Sequence, residues 1–425
     1  MEIKRLSLAS LALVFSLALL AACSGSSDPD SSTPISSTNT TTTTNTTATT
    51  ATTTEIVATT TSTTTPLVTE KITRVAAGGN HTCATSLGGG VKCWGLNRNG
   101  QLGYGEFSSF SVLPTAVSGM NTAIILAIAT GGSDTCVLLD DGTIQCWGSN
   151  LNGQLGNGGT SIASNIPVKV FGLTAVTAIA TGVHHACAVL YNGSMYCWGG
   201  NFFGELGNAT TDPAATPVVV SQISTATDVT AGFSHTCALL SDGVVKCWGS
   251  NFHGELGNGT NAPSTLPVAV SGITTATAIT SGYSHTCALL SDGSIKCWGS
   301  NVHGELGNGQ YGTASNIPVT VMGITTSTAI AAGGSHTCAI LIGGSATCWG
   351  ANAYGELGNG SNIDASTPST LSKTLNATSI SAGVNHTCAV LLDHSINCWG
   401  PNDYGQLGDG TLTDSKTPVQ VMGIP

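Results

Sequence analysis

Cations are scarce in this chain. Only 11 Lys and Arg stand among 425 residues, against 22 Asp and Glu, giving a net charge of -11. Tracking a phosphate backbone requires clustered positive charge, so nucleic acid is excluded as a partner class. Charged residues of both signs reach 8% and aromatics 5%. Beyond the N-terminal segment, no stretch shows the 3.6-residue apolar period of an amphipathic helix, which points away from helical fold classes. GxSxG, a Walker loop and paired carboxylates in an irregular insertion are also missing. The sequence therefore predicts a non-enzyme that needs no cofactor.

The one long apolar run lies at the start, in MEIKRLSLASLALVFSLALLAACSGSS. Lys4 and Arg5 precede the run from Leu6 to Leu20, and small residues then lead to a cysteine, the layout of a secretion signal. Leu20-Ala21-Ala22-Cys23 resembles the lipobox of bacterial lipoproteins, in which cleavage leaves the cysteine as the lipidated first residue. The expectation is a signal peptide over residues 1–22 and a lipid anchor on Cys23, with the membrane met through that anchor only. Ser24, rather than aspartate, follows the cysteine. That resemblance favours the outer membrane of a Gram-negative bacterium, with the protein facing either the periplasm or the cell surface.

Residues 24–68 are almost entirely Ser, Thr, Asn and Ala. So few large apolar side chains cannot offset the entropy of ordering, and residues 23–68 read as a lipidated cysteine followed by a disordered tether. As a flexible coil its reach is about 35 to 40 Å.

Over residues 69–425 the chain repeats itself. Cys-x9-Cys followed by Trp-Gly occurs seven times: Cys83 and Cys93, Cys136 and Cys146, Cys187 and Cys197, Cys237 and Cys247, Cys287 and Cys297, Cys338 and Cys348, Cys388 and Cys398. First cysteines are 53, 51, 50, 50, 51 and 50 residues apart, a period that means a propeller or an array. Each copy holds four short β signals; in the fifth they are Thr277–Thr280, His285–Leu290, Ser294–Gly299 and Pro318–Val321. Four strands in each of seven copies predict an all-β, seven-bladed β-propeller. The first strand is expected near Ile72, and the last, Pro418 to Val421, is expected to join the first blade and close the ring.

The repeat, AG-x-x-H-T-C-A-L-L-x-D-G-x-x-x-C-W-G-x-N-x-x-G-[EQ]-L-G-[ND]-G, resembles those of the RCC1 family, named for the regulator of chromosome condensation. The resemblance covers residues 69–425 and implies a seven-bladed propeller.

Turn chemistry assigns the cysteines. If Ser291, Asp292 and Gly293 form a three-residue hairpin loop with Gly293 at φ > 0, Cys287 falls opposite Cys297 in a non-hydrogen-bonded pair. Such a pair is close enough for a disulfide, and the same count predicts one in every copy. Gly89, Gly142, Gly193, Gly243 and Gly344 share the turn position, and the seventh copy has His394, a type that tolerates φ > 0. An exported chain suits disulfides. Zinc is the alternative, since His285, Cys287 and Cys297 converge, but Asp134 replaces the histidine in a copy that keeps both cysteines. No metal is therefore expected. The recurrent histidines His81, His185, His235, His285, His336 and His386 are expected to pack within blades. Glu205, Glu255, Glu305 and Glu356 alternate with Gln101, Gln154 and Gln406, which argues against calcium.

Function is sought where the copies differ. Aromatics cluster in the loops of copies three to five: Phe202, Phe203, Phe233, Phe252 and Tyr283, with His253 beside them. Loops on a rigid frame are where binding residues concentrate, and aromatics suit an interface core. Val302 and His303 share these loop positions, and Tyr104, Phe107 and Phe110 form a second patch. The reading is a lipid-anchored binding or scaffold propeller that presents loops to a protein or glycan at the cell surface. The resemblance also implies two alternatives: guanine-nucleotide exchange, as in the eukaryotic founder, or inhibition of a secreted enzyme, as in propellers that inhibit β-lactamases.

Overall fold

The computed structural model describes residues 71–159 and 161–424. The expectations for the signal peptide, Cys23 and the tether fall outside the described residues. Twenty-eight strands, from β1 (Ile72–Ala77) to β28 (Ser415–Gln420), form seven four-stranded antiparallel sheets. In each the strands follow one another in chain order. Short β-branched and apolar runs broken by glycine turns leave no length for a helix, and the period of two leaves both faces of each sheet available for packing.

The fifth blade shows the frame. It consists of β17 (Ala276–Ser281), β18 (His285–Leu290), β19 (Ile295–Gly299) and β20 (Ser315–Thr320). The hairpin register is as expected: Leu289 faces Ile295, Ala288 faces Lys296, and Cys287 faces Cys297. Gly293 has φ of 80° and donates its N–H to the Leu290 carbonyl (3.0 Å). His394 adopts φ of 68° at the same turn position in the seventh blade. The fourth strand begins at Ser315, three residues before the expected Pro318. Its residues lie on the outer edge and are half-buried or exposed, and it opens on polar Ser315 and Asn316, so no apolar signal marks its start.

All seven cysteine pairs are disulfides, with Cα atoms 4.0 to 4.1 Å apart. Every one of these cysteines is buried. They belong to apolar clusters between blades: Cys287 and Cys297 pack with Leu306 and with Ala339 and Trp349 of the sixth blade.

One expectation is corrected. The C-terminal strand does not join the first blade: β28 pairs with β27 (Ile396–Gly400), placing Gln420 opposite Asn397 and Ser415 opposite Gly400. Each repeat starts at an innermost strand and ends at an outermost one, so seven repeats give seven whole sheets and no strand is left to exchange. The ring closes through the interface instead. Trp94 of the first blade lies against Val390, Ile396 and Leu407 of the seventh, and Val384 donates its N–H to the Gly78 carbonyl (3.0 Å).

Candidate functional site

Repeated polar residues must first be separated from free ones. Within the fourth and fifth blades, His235 Nε2 lies 2.9 Å from Thr286 Oγ1, and Thr286 donates to the Glu255 carbonyl (3.1 Å). Trp298 Nε1 donates to the same carbonyl (2.7 Å). A hydroxyl has one proton, and Thr286 has committed it to the carbonyl. His235 must then donate from Nε2, leaving Nδ1 unprotonated. This clasp between adjacent blades recurs at six of the seven interfaces, with His–Thr distances of 2.8 to 2.9 Å. The histidines thus reach across to the next blade instead of bonding inside their own. Burial lowers their pKa values, to about 4 for His81 and His336 and about 3 for His185, His235, His285 and His386.

The remaining interface, between the second and third blades, lacks both partners. Asp134 replaces the histidine, and Ala186 stands where the next blade would supply threonine. The loss of one partner accompanies the loss of the other, as expected of a bonded pair. Both carboxyl oxygens of Asp134 are buried without a hydrogen-bond partner, and desolvation raises its pKa well above the usual range. Asp134→His with Ala186→Thr should complete the clasp and raise stability by about 1 to 3 kcal/mol, since it exchanges two unsatisfied carboxyl oxygens for one unsatisfied ring nitrogen and adds a hydrogen bond. Asp134→His alone should gain less, because its Nε2–H finds no acceptor. A double-mutant cycle in urea checks the coupling, and additive single effects would contradict the clasp.

The Glu and Gln positions are architectural as well. Glu305 Oε2 accepts the His303 N–H (2.8 Å), and Gln101 Oε1 accepts the Asn99 N–H (2.9 Å). Either residue type offers the required oxygen, which is why the copies interchange them. Burial raises the pKa values of Glu205, Glu305 and Glu356. Near the ring axis, backbone bonds run from each blade to the next, and a Cβ on Gly282 would lie 2.2 Å from the Gly333 carbonyl. The axial cavity measures about 90 Å³, well short of the ~300 to 1,000 Å³ of small-molecule sites.

The loops hold the candidate surface. Antiparallel order brings the first-to-second and third-to-fourth strand connections to one edge of every sheet, the loop edge. There Leu151, Phe202, Phe252 and Val302 occupy one loop position in four successive blades and are exposed by 70%, 59%, 58% and 59%. Nearer the axis, Phe233 meets Tyr283 edge-on (5.3 Å) and His184 on its other side (5.6 Å). Phe203 meets Phe252 edge-on (5.4 Å). Four of the six expected residues therefore form two pairs, Phe233 with Tyr283 and Phe203 with Phe252, and Phe202 and His253 stand outside them. Phe202 lies close to Gly200, which in turn abuts His184. His253 is exposed, with Nδ1 3.3 Å from Glu255 Oε1, and His303 is bound to Asp364 (2.8 Å). Burial raises the Tyr283 pKa and lowers that of His184.

Two contributors were missed. Leu151 extends the arc into the second blade, and His184 extends the aromatic row. The signal for His184 was present, because the third copy alone carries His-His where the others have Ser or Asn before the second residue. In the second patch, Phe107 and Phe110 are exposed, whereas Tyr104 packs under the first blade and bonds to Ser108.

Comparison with known proteins agrees with this architecture. Two descriptions of the Regulator of chromosome condensation (RCC1) repeat match the chain seven times each, one from residues 72–101 to 377–406 and the other from 89–138 to 393–425. The ultraviolet-B receptor UVR8 of Arabidopsis thaliana is 31% identical over 140 residues, covering 32% of this chain and 31% of UVR8. Human E3 ubiquitin-protein ligase HERC2 is 32% identical over 146 residues, 33% of this chain and 3% of HERC2. The match thus spans less than a third of each of these relatives. Human WBSCR16 superposes with a TM-score of 0.70 at 21% identity, covering 78% of this chain and 95% of that one. Yeast RCC1 (Prp20), solved with Kap60, gives 0.70 at 21% identity, covering 83% and 85%. These structures share the fold, and the seven matched repeats, their register and their ring closure place the chain in the Regulator of chromosome condensation (RCC1) repeat family.

Proposed function

We propose that this chain is an exported, lipid-anchored and non-catalytic propeller whose loop edge holds a protein partner, with a surface glycan as the second ligand class. The observation that carries the reading is the apolar arc of Leu151, Phe202, Phe252 and Val302 around the Phe233–Tyr283 row. A soluble monomer rarely leaves contiguous large apolar groups uncovered, and aromatic anchors on a rigid frame lose little entropy on binding. Yeast Prp20 occurs in complex with Kap60, and its binding to Gsp1p and histones has been described, which supports a protein partner for a fold of this kind. A net charge of -11 and the absence of a long insertion in the repeats disfavour nucleotide exchange and chromatin. Inhibition of a secreted enzyme remains within the binding reading, since it needs only the same surface.

The test is capture from the surroundings of the exported protein, comparing the native chain with one carrying Phe202, Phe233, Phe252 and Tyr283 all changed to Ala. Capture of the specific partner should fall at least tenfold, as expected when several interface anchors are truncated together. Equal capture by both chains would remove the aromatic surface from consideration.

A further inference from the structure

The opposite edge of the ring carries the tight hairpin turns, and its character changes around the circle. At the first position of the turn the seven blades have Leu87, Asp140, Tyr191, Ser241, Ser291, Ile342 and Leu392. In the sixth, seventh and first blades, which are neighbours through the ring closure, Ile342, Leu392 and Leu87 are exposed by 72%, 71% and 72%. Ile124, beside the turn of the second blade, flanks this arc at 58% exposure. The turns of the sixth and first blades are Ile-Gly-Gly and Leu-Gly-Gly, with no acid, and exposed Lys71 and Lys373 lie in the same arc. Asp393 is its one carboxylate at a turn, tied to the N–H and hydroxyl of Ser395 (3.0 and 2.6 Å). The second, fourth and fifth blades instead present exposed Asp140, Asp141, Asp242 and Asp292.

We propose that the turn edge of the sixth, seventh and first blades rests on the lipid bilayer to which the chain is anchored. The inference rests on the anchored reading above and extends it from a passive tether to an oriented protein. Three observations point to lipid as the occupant. First, the described chain begins at this arc: the Lys71 carbonyl accepts the Leu87 N–H (2.7 Å), which puts the first described residue beside the apolar tips. Second, the apolar tips stand singly on the turns of separate blades, with only a cavity of about 140 Å³ beside the first blade's turn, which suits insertion among headgroups better than docking of a folded partner. Third, a protein of net charge -11 is repelled by an anionic surface unless it turns its least acidic side toward it, and this arc holds two lysines and one acid at its turns. Tethering makes the contact effectively intramolecular, so a surface too weak to bind free vesicles still orients an anchored chain. The loop edge then faces away from the membrane, toward its partner.

Cys23 is the only cysteine outside the seven bridges, so the chain from Cys23 onward can be coupled through this thiol to a maleimide lipid. On vesicles of phosphatidylethanolamine and phosphatidylglycerol at 3:1, amide exchange should slow at least threefold in the turns at residues 86–90, 341–345 and 391–395. The turns at residues 240–244 and 290–294 should be unchanged. Leu87→Asp with Ile342→Asp and Leu392→Asp should abolish the slowing while leaving all seven disulfides formed. Equal exchange in all turns, slowing that survives the triple variant, or the same slowing when Cys23 is coupled to a soluble carrier would overturn the proposal, the last by naming a second copy as the occupant. The anchor is tested apart from this, by the mass of the Cys23 peptide from exported protein. An unmodified Cys23 with protected turns refutes native anchoring and keeps the surface, whereas an acylated Cys23 with unprotected turns does the reverse.

Discussion

Lowering the pH from 7 to 5 is expected to destabilise the propeller, by an amount on the order of 10 kcal/mol before buried carboxyls offset part of it. The cause is the six clasp histidines. Each is fully buried and donates from Nε2, while its Nδ1 has no partner. Protonation would place a charge and an unaccepted N–H in the interface between blades. The folded pKa values, about 3 to 4, lie below the unfolded value of about 6.5, so the neutral form is favoured in the folded state. A depressed folded pKa gives stability that is fully present above pH 6.5 and is lost as pH falls through that value toward 3 to 4. At pH 5 each histidine contributes about 2 kcal/mol to unfolding, and the six act together because each joins neighbouring blades. Buried Asp134, Asp228, Glu205, Glu305 and Glu356 have raised pKa values and oppose the trend in part, since they favour the fold as they take up protons. Circular dichroism from pH 7 to 4 measures the balance. A melting temperature that stays level to pH 4 would falsify the neutral-histidine clasp. Asp134→His with Ala186→Thr supplies a seventh such histidine, so that variant should be more stable at pH 7 and fall more steeply in acid.

Complete reduction of the disulfides should have a still larger effect. Each bridge joins residues 10 apart, and the chain-entropy model assigns somewhat under 3 kcal/mol to a loop of that size, so seven bridges sum to about 19 kcal/mol. Native domains are stable by only about 5 to 15 kcal/mol, and the reduced chain should not fold at 37 °C. All the sulfurs are buried between blades, so a reductant should reach them only through local or global opening. The native protein should therefore keep its bridges in millimolar dithiothreitol, lose them after brief exposure to urea, and fail to recover its near-ultraviolet signal when the urea is removed under reducing conditions. Alkylation of exported protein with mass analysis should find no reactive thiol before unfolding, because the Cys23 sulfur carries the lipid, and 14 reactive cysteines afterwards. A reduced chain that regains its native signal would show that the blades do not depend on the bridges.

Much of the fold was legible from residue spacing. The nine residues between cysteines and the three-residue turn ending in Gly293 fix which side chains face each other across the hairpin, and counting was enough to place Cys287 opposite Cys297. His394 could be assigned a positive φ for the same reason. Contacts between blades were not legible, because they join residues about 50 apart or, at the closure, more than 300 apart. The Thr after each histidine looked like an ordinary strand residue until the next blade's histidine was seen to end on it. Even so, the paired absence of His at Asp134 and Thr at Ala186 was present in the sequence as a trace of that contact. The outer strand at Ser315–Thr320 was placed late for a different reason, since an exposed edge needs few apolar residues.

By itself, then, the sequence determined the number of blades, the four strands in each, the hairpin register and the seven disulfides, because all of these depend on local turn geometry and on a repeat that can be counted. Tertiary structure alone decided that the ring closes without exchanging a strand, that the histidines clasp neighbouring blades, and that scattered apolar residues gather into arcs. One arc, at the loop edge, runs through the second to fifth blades, and the other, at the turn edge, runs from the sixth through the seventh to the first. The physical reason is that a repeat position says where a residue sits in its own blade. Which residues become neighbours around the circle is fixed only when the ring has closed.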